Sequence, residues 1–354
     1  MDLDKLLGRP CGWLRGNGTD SDVVISSRAR LTRNFAGFPF VNRATDSDLE
    51  RVVDLFLGTA GRLFNEDEAS TVDVALLTNE DARFLLERRL IGSQFVDSKR
   101  PRAALFATDE SFSVAVDEED HLRLRATAAG LALNEVWEKA NALDDRFEAE
   151  LDYAFDEKFG YLTSCPSNVG TGLRASVLLH LPGLIETGEI AKVLRSLQKL
   201  NLVARGFFGD ESRITGELLL ISNQTTLGVS EQAIVKQLLE VVDCVVGYER
   251  KARQTILERN RERLFDRCSR ALGILRSARS TSFEEALVLI SSLRLGVRLN
   301  LLEQTSIELV DALTLQVQPA HLRKIADEEG NFEENEDVVR ADFLRKKLAS
   351  IKSS

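Results

Sequence analysis

Strand-forming stretches stop short of residue 230 in this 354-residue chain, and everything beyond reads as helix. Ahead of that point, apolar runs at strand spacing occur at Val23–Ile25, Val72–Leu77, Ala103–Ala107, Ser111–Val116, His121–Ala126, Gly160–Ser164 and Gly216–Ser222. Helical periodicity marks Asp46–Phe64, capped by Asp46 or Ser47, then Ala128–Leu151 and Glu189–Leu200. Strands and helices do not alternate regularly, so the predicted class is α+β: a mainly antiparallel sheet flanked by helices. From Ser230 a helical pattern runs to about Ser277, followed by Thr281–Leu295, Leu299–Leu313 and, after the acidic loop Asp327–Asp337, Val338–Ile351. The expected division is a mixed domain over residues 1–255 and an all-helical domain over 256–354.

A formal charge of −10 argues against broad binding to nucleic acid or an anionic membrane. No apolar run reaches membrane-span length and no signal-peptide pattern is present, so a reduced cytoplasm is expected. The four cysteines (Cys11, Cys165, Cys244, Cys268) lie far apart with no C-x-x-C pair, which excludes a zinc knuckle or disulfide scaffold. Only 12 of the 46 basic residues are Lys, and the surplus of Arg suits anion clamps and ion pairs.

The sharpest segment is Cys165-Pro166-Ser167-Asn168-Val169-Gly170-Thr171-Gly172-Leu173-Arg174-Ala175-Ser176. It contains a G-x-G-x-x-A match to the dinucleotide fingerprint, but without the strand–helix setting that gives the fingerprint its meaning, and no P-loop occurs anywhere. Such a loop can present backbone N–H groups and the Arg174 fork to an anion. Cys165, with the Ser167 hydroxyl two residues on, is a candidate stabilised thiolate.

This segment resembles the active-site cysteine motif of the phosphagen (guanidino) kinases. Four further segments match that family in order: Ser26-Ser27-Arg28-Ala29-Arg30, Glu118-Glu119-Asp120-His121-Leu122-Arg123, Arg205-Gly206-Phe207-Phe208-Gly209-Asp210 and Ile221-Ser222-Asn223-Gln224. The resemblance implies an ATP-dependent phosphotransferase using Mg²⁺. The metal would be carried by nucleotide oxygens and water, with no dedicated ligand set in the chain. It places a catalytic carboxylate at Glu119, a substrate-ordering thiolate at Cys165 and a second carboxylate at Asp210, with Glu211 adjacent. Nucleotide contacts are implied at Ser26, Ser27, Arg28, Ala29, Arg30, Arg123, Arg174, Ala175, Ser176, Val177, Leu178, Arg205, Gly206, Phe207, Phe208, Gly209 and Asp210. Where relatives carry a nucleotide-contacting His, Arg89 stands within Arg88-Arg89-Leu90-Ile91-Gly92 and is assigned to phosphate in its stead.

Only twenty-five residues precede the first motif, and the extra hundred lie at the C-terminal end. That layout is similar to the bacterial protein arginine kinases of the McsB type. It implies arginine-bearing protein substrates, a homodimer, an activator protein and delivery of modified proteins to an ATP-dependent protease. It also implies a phosphoarginine site at Glu336, Asp337, Arg340 and Ala341, with Glu336 replacing the motif's first arginine and lowering its affinity for an anion. The alternatives are a free-arginine kinase and a non-catalytic nucleotide- or phosphoarginine-binding regulator.

Overall fold

The computed structural model describes residues 3–96, 100–207, 214–330 and 335–349. In chain order the main elements are α1 (Asp4–Leu7), β1 (Val24–Arg33), α2 (Asp46–Leu63), β2 (Ala69–Asp73), α3 (Asn79–Glu87), β3 (Ala103–Ala107), β4 (Phe112–Val116), β5 (Leu122–Ala129) and α4 (Leu133–Glu148). There follow β6 (Phe155–Asp156), β7 (Gly160–Tyr161), β8 (Arg174–His180), α5 (Pro182–Glu186), α6 (Ile190–Lys199), β9 (Leu202–Gly206) and β10 (Leu218–Asn223). The remainder is helical: α7 (Glu231–Ser277), α8 (Phe283–Arg298), α9 (Ile307–Gln316), α10 (Pro319–Glu328) and α11 (Glu336–Leu348). No helix among the described residues is long and apolar enough to cross a membrane.

Eight strands form one sheet in the order β2-β3-β4-β5-β1-β8-β10-β9, and every neighbouring pair is antiparallel. The pleat sends alternate side chains to opposite faces. Ala29, Leu31, Leu124, Ala126, Val177 and Ile221 join one core with Val52 and Phe56 of α2, Phe147 of α4 and Leu238 of α7. Their strand neighbours Arg28, Arg30, Arg123, Arg125 and Arg174 therefore share the other face. Helix α2 begins at Asp46 as the sequence suggests, but its cap is Thr45 rather than Asp46 or Ser47, because Thr45 and Asp48 close a reciprocal capping box.

Several elements depart from the sequence reading. The Val72–Leu77 strand is shifted to β2, and a 3-10 turn takes Val74–Leu76. Gly160–Ser164 contributes only the two residues of β7, paired with β6 outside the main sheet. Strands β8 and β9 and helices α3 and α10 were not expected, and the helix foreseen at Leu299 starts at Ile307, after the Ser306 cap.

Helix α7 runs through residue 255 without a stop, its one non-helical residue being Asn260. The sheet-backed core ends on it at Ala252 and a second core, built by the C-terminal helices, begins at Ile256. The two units are stitched by arginines that donate to backbone carbonyls: buried Arg253, at their junction on α7, to Asp22 and His180, buried Arg294 to Ser21 and Asp22, and partly exposed Arg298 to Gly16. A further link is carboxylate-mediated. Glu87, ending α3, accepts the N–H groups of Ala320 (2.8 Å) and His321 (2.9 Å) at the start of α10, and contacts His321 Nδ1 at 2.7 Å.

Candidate active site

Register puts the arginines side by side. Arg30 on β1 stands opposite Arg125 on β5 and Arg174 on β8, and Arg28 stands opposite Thr127 and Ser176. Arg89, in a left-handed turn after α3 (φ +68°), lies with its guanidinium 3.9 Å over the Phe207 ring. Burial and the like charges of Arg125, Arg89 and Arg123 push Arg28 down to about 9, and burial with Arg123, Arg28 and Arg125 holds Arg30 well below its ordinary value. Buried Nε atoms of Arg30, Arg89 and Arg123 have no hydrogen-bond partner among the described residues. A face of crowded cations with donors unspent fits a polyanion such as a nucleotide triphosphate.

The two glutamates of the β4–β5 turn have separate duties. Glu118 is buried between Arg123 (2.6 Å) and Arg125 (2.6 Å). Burial works to raise its pKa, but Arg125, Arg123 and Arg30 outweigh that and hold it below the usual carboxylate range. Gly92 must lack a side chain there, since a Cβ would collide with the Glu118 carboxylate. Glu119 is partly exposed and meets Arg123 at 2.6 Å.

Asp120, fully buried, accepts from Asn34 Nδ2 (2.7 Å) and from the Ser164 amide (2.5 Å). His121 accepts the Phe35 amide on Nδ1 (2.9 Å), so its proton sits on Nε2 and is donated to the Pro39 carbonyl (3.0 Å). The turn is thus pinned to the loop that carries Cys165, whose Sγ lies 3.1 Å from Ser167 Oγ.

Arg174 gathers these parts. Its guanidinium donates to the Asn223 carbonyl at 2.8 Å, and Asn223 in turn holds the Ala175 amide and the Leu173 carbonyl. Burial lowers its pKa, followed by the charge of Arg205, while Cys165 and Glu119 act in the opposite sense from close by. Arg123 and Arg205 lie within electrostatic range of the same guanidinium, and Glu119 is bonded to Arg123.

Other expected contacts fall differently. The side chains of Ala29, Ala175 and Val177 point into the helix-backed core, because they occupy the alternate positions of the pleat, and only their backbone can reach a ligand. Ser27 faces the same way, accepting the Ala132 amide and donating to the Gly130 carbonyl. Ser26, Ser176 and Leu178 lie on the cationic face, and Phe207, just past the last residue of β9, Gly206, lies beside it. Phe208, Gly209, Asp210 and Glu211, and with them the second carboxylate, lie outside the described residues. In α11, Arg340 is buried and spends its guanidinium on the carbonyls of Val317 (3.0 Å) and Thr281 (3.0 Å) and on Asp337 (2.6 Å). Ala341 is buried behind it, and Glu336 is half-exposed, 3.7 Å from Arg340. The sequence reading did not single out Arg125, Glu118 or Asp120 for these duties. For Arg125 the alternation Leu122-Arg123-Leu124-Arg125 was the available signal.

With this geometry established, comparison with known proteins is informative. Residues 51–252 match the family described as ATP:guanido phosphotransferase, C-terminal catalytic domain, and residues 261–354 match the protein-arginine kinase McsB C-terminal domain. A protein-arginine kinase of Brevibacillus brevis is 39% identical over 343 residues, covering 96% of each chain. One from Symbiobacterium thermophilum is 39% identical over 354 residues, covering 99% of this chain and 100% of its own. Among solved structures, a lombricine kinase aligns with a TM-score of 0.57 at 24% identity, covering 67% of this chain and 68% of that one, a likeness of fold. The duplicated taurocyamine kinase of Schistosoma mansoni aligns at 0.56 and 27% identity, covering 69% of this chain and 34% of that one.

Proposed function

Since the chain belongs to the ATP:guanido phosphotransferase family, and within it to the protein-arginine kinases, we propose that it transfers the γ-phosphoryl group of ATP to arginine side chains of proteins. The observation that carries this reading is the Asp120–Ser164 bond, which holds the turn of Glu119, an acid suited to a guanidinium, against the loop of the Cys165 thiol, next to a strand face of arginines suited to phosphate.

A guanidinium is a protonated, weak nucleophile. Glu119 holds its planar fork and takes the proton released as the nitrogen bonds to phosphorus. Cys165, half-buried, orders the same group from the facing loop. Asp210 or Glu211 supplies the second carboxylate. Arg28, Arg30, Arg89, Arg123, Arg174 and Arg205 hold the phosphates and offset the charge that develops during transfer. ATP would bring the transferable group, and Mg²⁺ carried with the nucleotide rather than by a ligand set of this chain would offset part of the phosphate charge. Fixing donor and acceptor in line contributes roughly 7–11 kcal/mol in favourable systems.

Likeness to the family extends the proposal to a division near residue 255, a homodimer formed through residues 256–354, an activator protein, hand-over to an ATP-dependent protease and a cytoplasmic setting. For phosphoarginine binding, Asp337 is the group offered to a guanidinium, with Arg340 already engaged by carbonyls.

Incubation with ATP and an arginine-rich protein, followed by mass spectrometry at neutral pH, tests the activity through acid-labile phosphate on arginine. Glu119→Gln should lower kcat at least about 100-fold while nucleotide still binds. Equal transfer by both forms would overturn the role of Glu119, and label on free arginine alone would overturn the protein acceptor.

A further inference from the structure

Four large apolar side chains stand exposed on two segments that bracket the Cys165 loop: Phe155 (57%), Phe159 (44%), Leu227 (49%) and Val229 (39%). Singly exposed apolar residues are ordinary, but clustered ones beside a reaction cleft mark a contact surface. Phe155 and Phe159 sit on the β6–β7 hairpin. That hairpin is fastened to the Cys165 loop by reciprocal bonds between Tyr161 and Gly170 (2.9 and 3.3 Å), and Asn34 Nδ2 holds the Leu162 carbonyl (3.0 Å). Leu227 and Val229 follow Thr226, whose hydroxyl donates to the carbonyls of Val169 (2.7 Å) and Ser167 (3.1 Å). Gly170, at φ +109°, has no room for a side chain because the Thr226–Leu227 backbone lies against it.

The hairpin is rigid where it matters. The Phe155 and Tyr161 rings meet edge to face at 5.3 Å, and Arg33 stacks 3.5 Å over Tyr161. Asp156 Oδ1 accepts the amides of Lys158 and Phe159 and fixes the turn. Tyr161 is four residues from Cys165, at most about 14 Å of extended chain. Residues two to five places from an arginine held at Cys165 span about 7–17 Å, so they reach both segments.

We propose that the aromatic hairpin and the Leu227–Val229 segment form a docking surface for apolar side chains flanking the target arginine in an extended polypeptide. The proposal rests on the protein-arginine kinase reading, and the surface is continuous with the cleft which that arginine enters. Recognition of flanking residues sets which arginines are modified, whereas Glu119 and the cationic face act on any of them.

The test uses two peptides of equal length with one arginine each, flanked by Leu and Phe in one and by Gly and Ser in the other. The native chain should show a KM about tenfold lower for the apolar peptide. In the Phe155→Ser/Phe159→Ser variant that advantage should vanish, with the Gly/Ser peptide shifted less than twofold and the melting temperature lowered by no more than about 3 °C for the lost Phe155–Tyr161 contact. Leu227→Ser, made separately, should give a smaller loss of the same sign. Equal KM values for both peptides in the native chain overturn the proposal, as does a preference that survives both variants. An unchanged preference with a lower oligomeric state by light scattering also overturns it and assigns the surface to a second copy. Phosphate on neither peptide overturns the kinase reading as well.

Discussion

Asp120 Oδ1 accepts the Ser164 amide at 2.5 Å, so the residue after Glu119 is bonded to the residue before Cys165. Two loops distant in sequence are thereby held in one register. Replacing Asp120 by Ala leaves the Ser164 N–H and one of the two Asn34 Nδ2 hydrogens without an acceptor, the other still bonding the Leu162 carbonyl. The expected loss is about 2–4 kcal/mol of stability and roughly 100-fold in kcat. Asp120→Asn keeps one acceptor and should recover part of both. A variant that melts early yet turns over normally would show that the loops are not coupled.

Arg30 lies between Arg125 and Arg174 in strand register. Relieving that crowding should stabilise the ligand-free fold even as it removes a phosphate contact. Arg30→Met is expected to raise the melting temperature without nucleotide by about 1–3 °C, and to abolish the rise that ATP produces in the parent. An undiminished ATP-induced shift would remove Arg30 from the phosphate cradle.

Asp117 opens the β4–β5 turn at φ +58°, fully buried, with neither carboxylate oxygen hydrogen-bonded among the described residues. Burial pushes its pKa up to about 8 against the pull of Arg102 and Arg100. The folded chain therefore keeps a proton that the unfolded chain releases near pH 4. Stability declines as pH rises from about 4 to about 8, then levels off. Asp117→Asn tolerates the same backbone and does not titrate. Its stability relative to the parent should grow through that window, reaching the order of a few kcal/mol at pH 9. Denaturant midpoints at pH 4.5 and pH 9 measure it; a pH-independent difference would mean Asp117 is not protonated in the fold.

Glu87 caps α10 two residues before Arg89 reaches the Phe207 ring. Glu87→Ala removes three hydrogen bonds between the helical unit and α3. Amide exchange in α10 should quicken at least about tenfold, and nucleotide affinity should fall with it. Exchange rates equal to the parent would show that α10 is held by apolar packing alone.

Much of this was legible in the chain. Alternation at Leu122–Arg125 declared a two-faced strand, and the five ordered motifs pointed to the family. Strand β8 was hidden because the glycines at Gly170 and Gly172 make its approach look like loop, and β9 is short and largely uncovered by the core. Two adjacent glutamates look alike in sequence. Only the pairing of β5 with β4 and β1 turns Glu118 inward onto Arg123 and Arg125 and leaves Glu119 partly exposed. The Asp120–Ser164 bond joins residues 44 apart, and nothing local announces it. Arg340 reads as an anion ligand in a motif, yet besides Asp337 of its own helix its partners are the carbonyls of Thr281, ahead of α8, and Val317, ending α9, a matter of tertiary placement.

The arginine-lined face has a consequence for the protein's lifetime. A sheet that repels itself until an anion arrives is easiest to open when nucleotide is scarce. Protease attack on the ligand-free chain should then be faster than on the chain saturated with nucleotide.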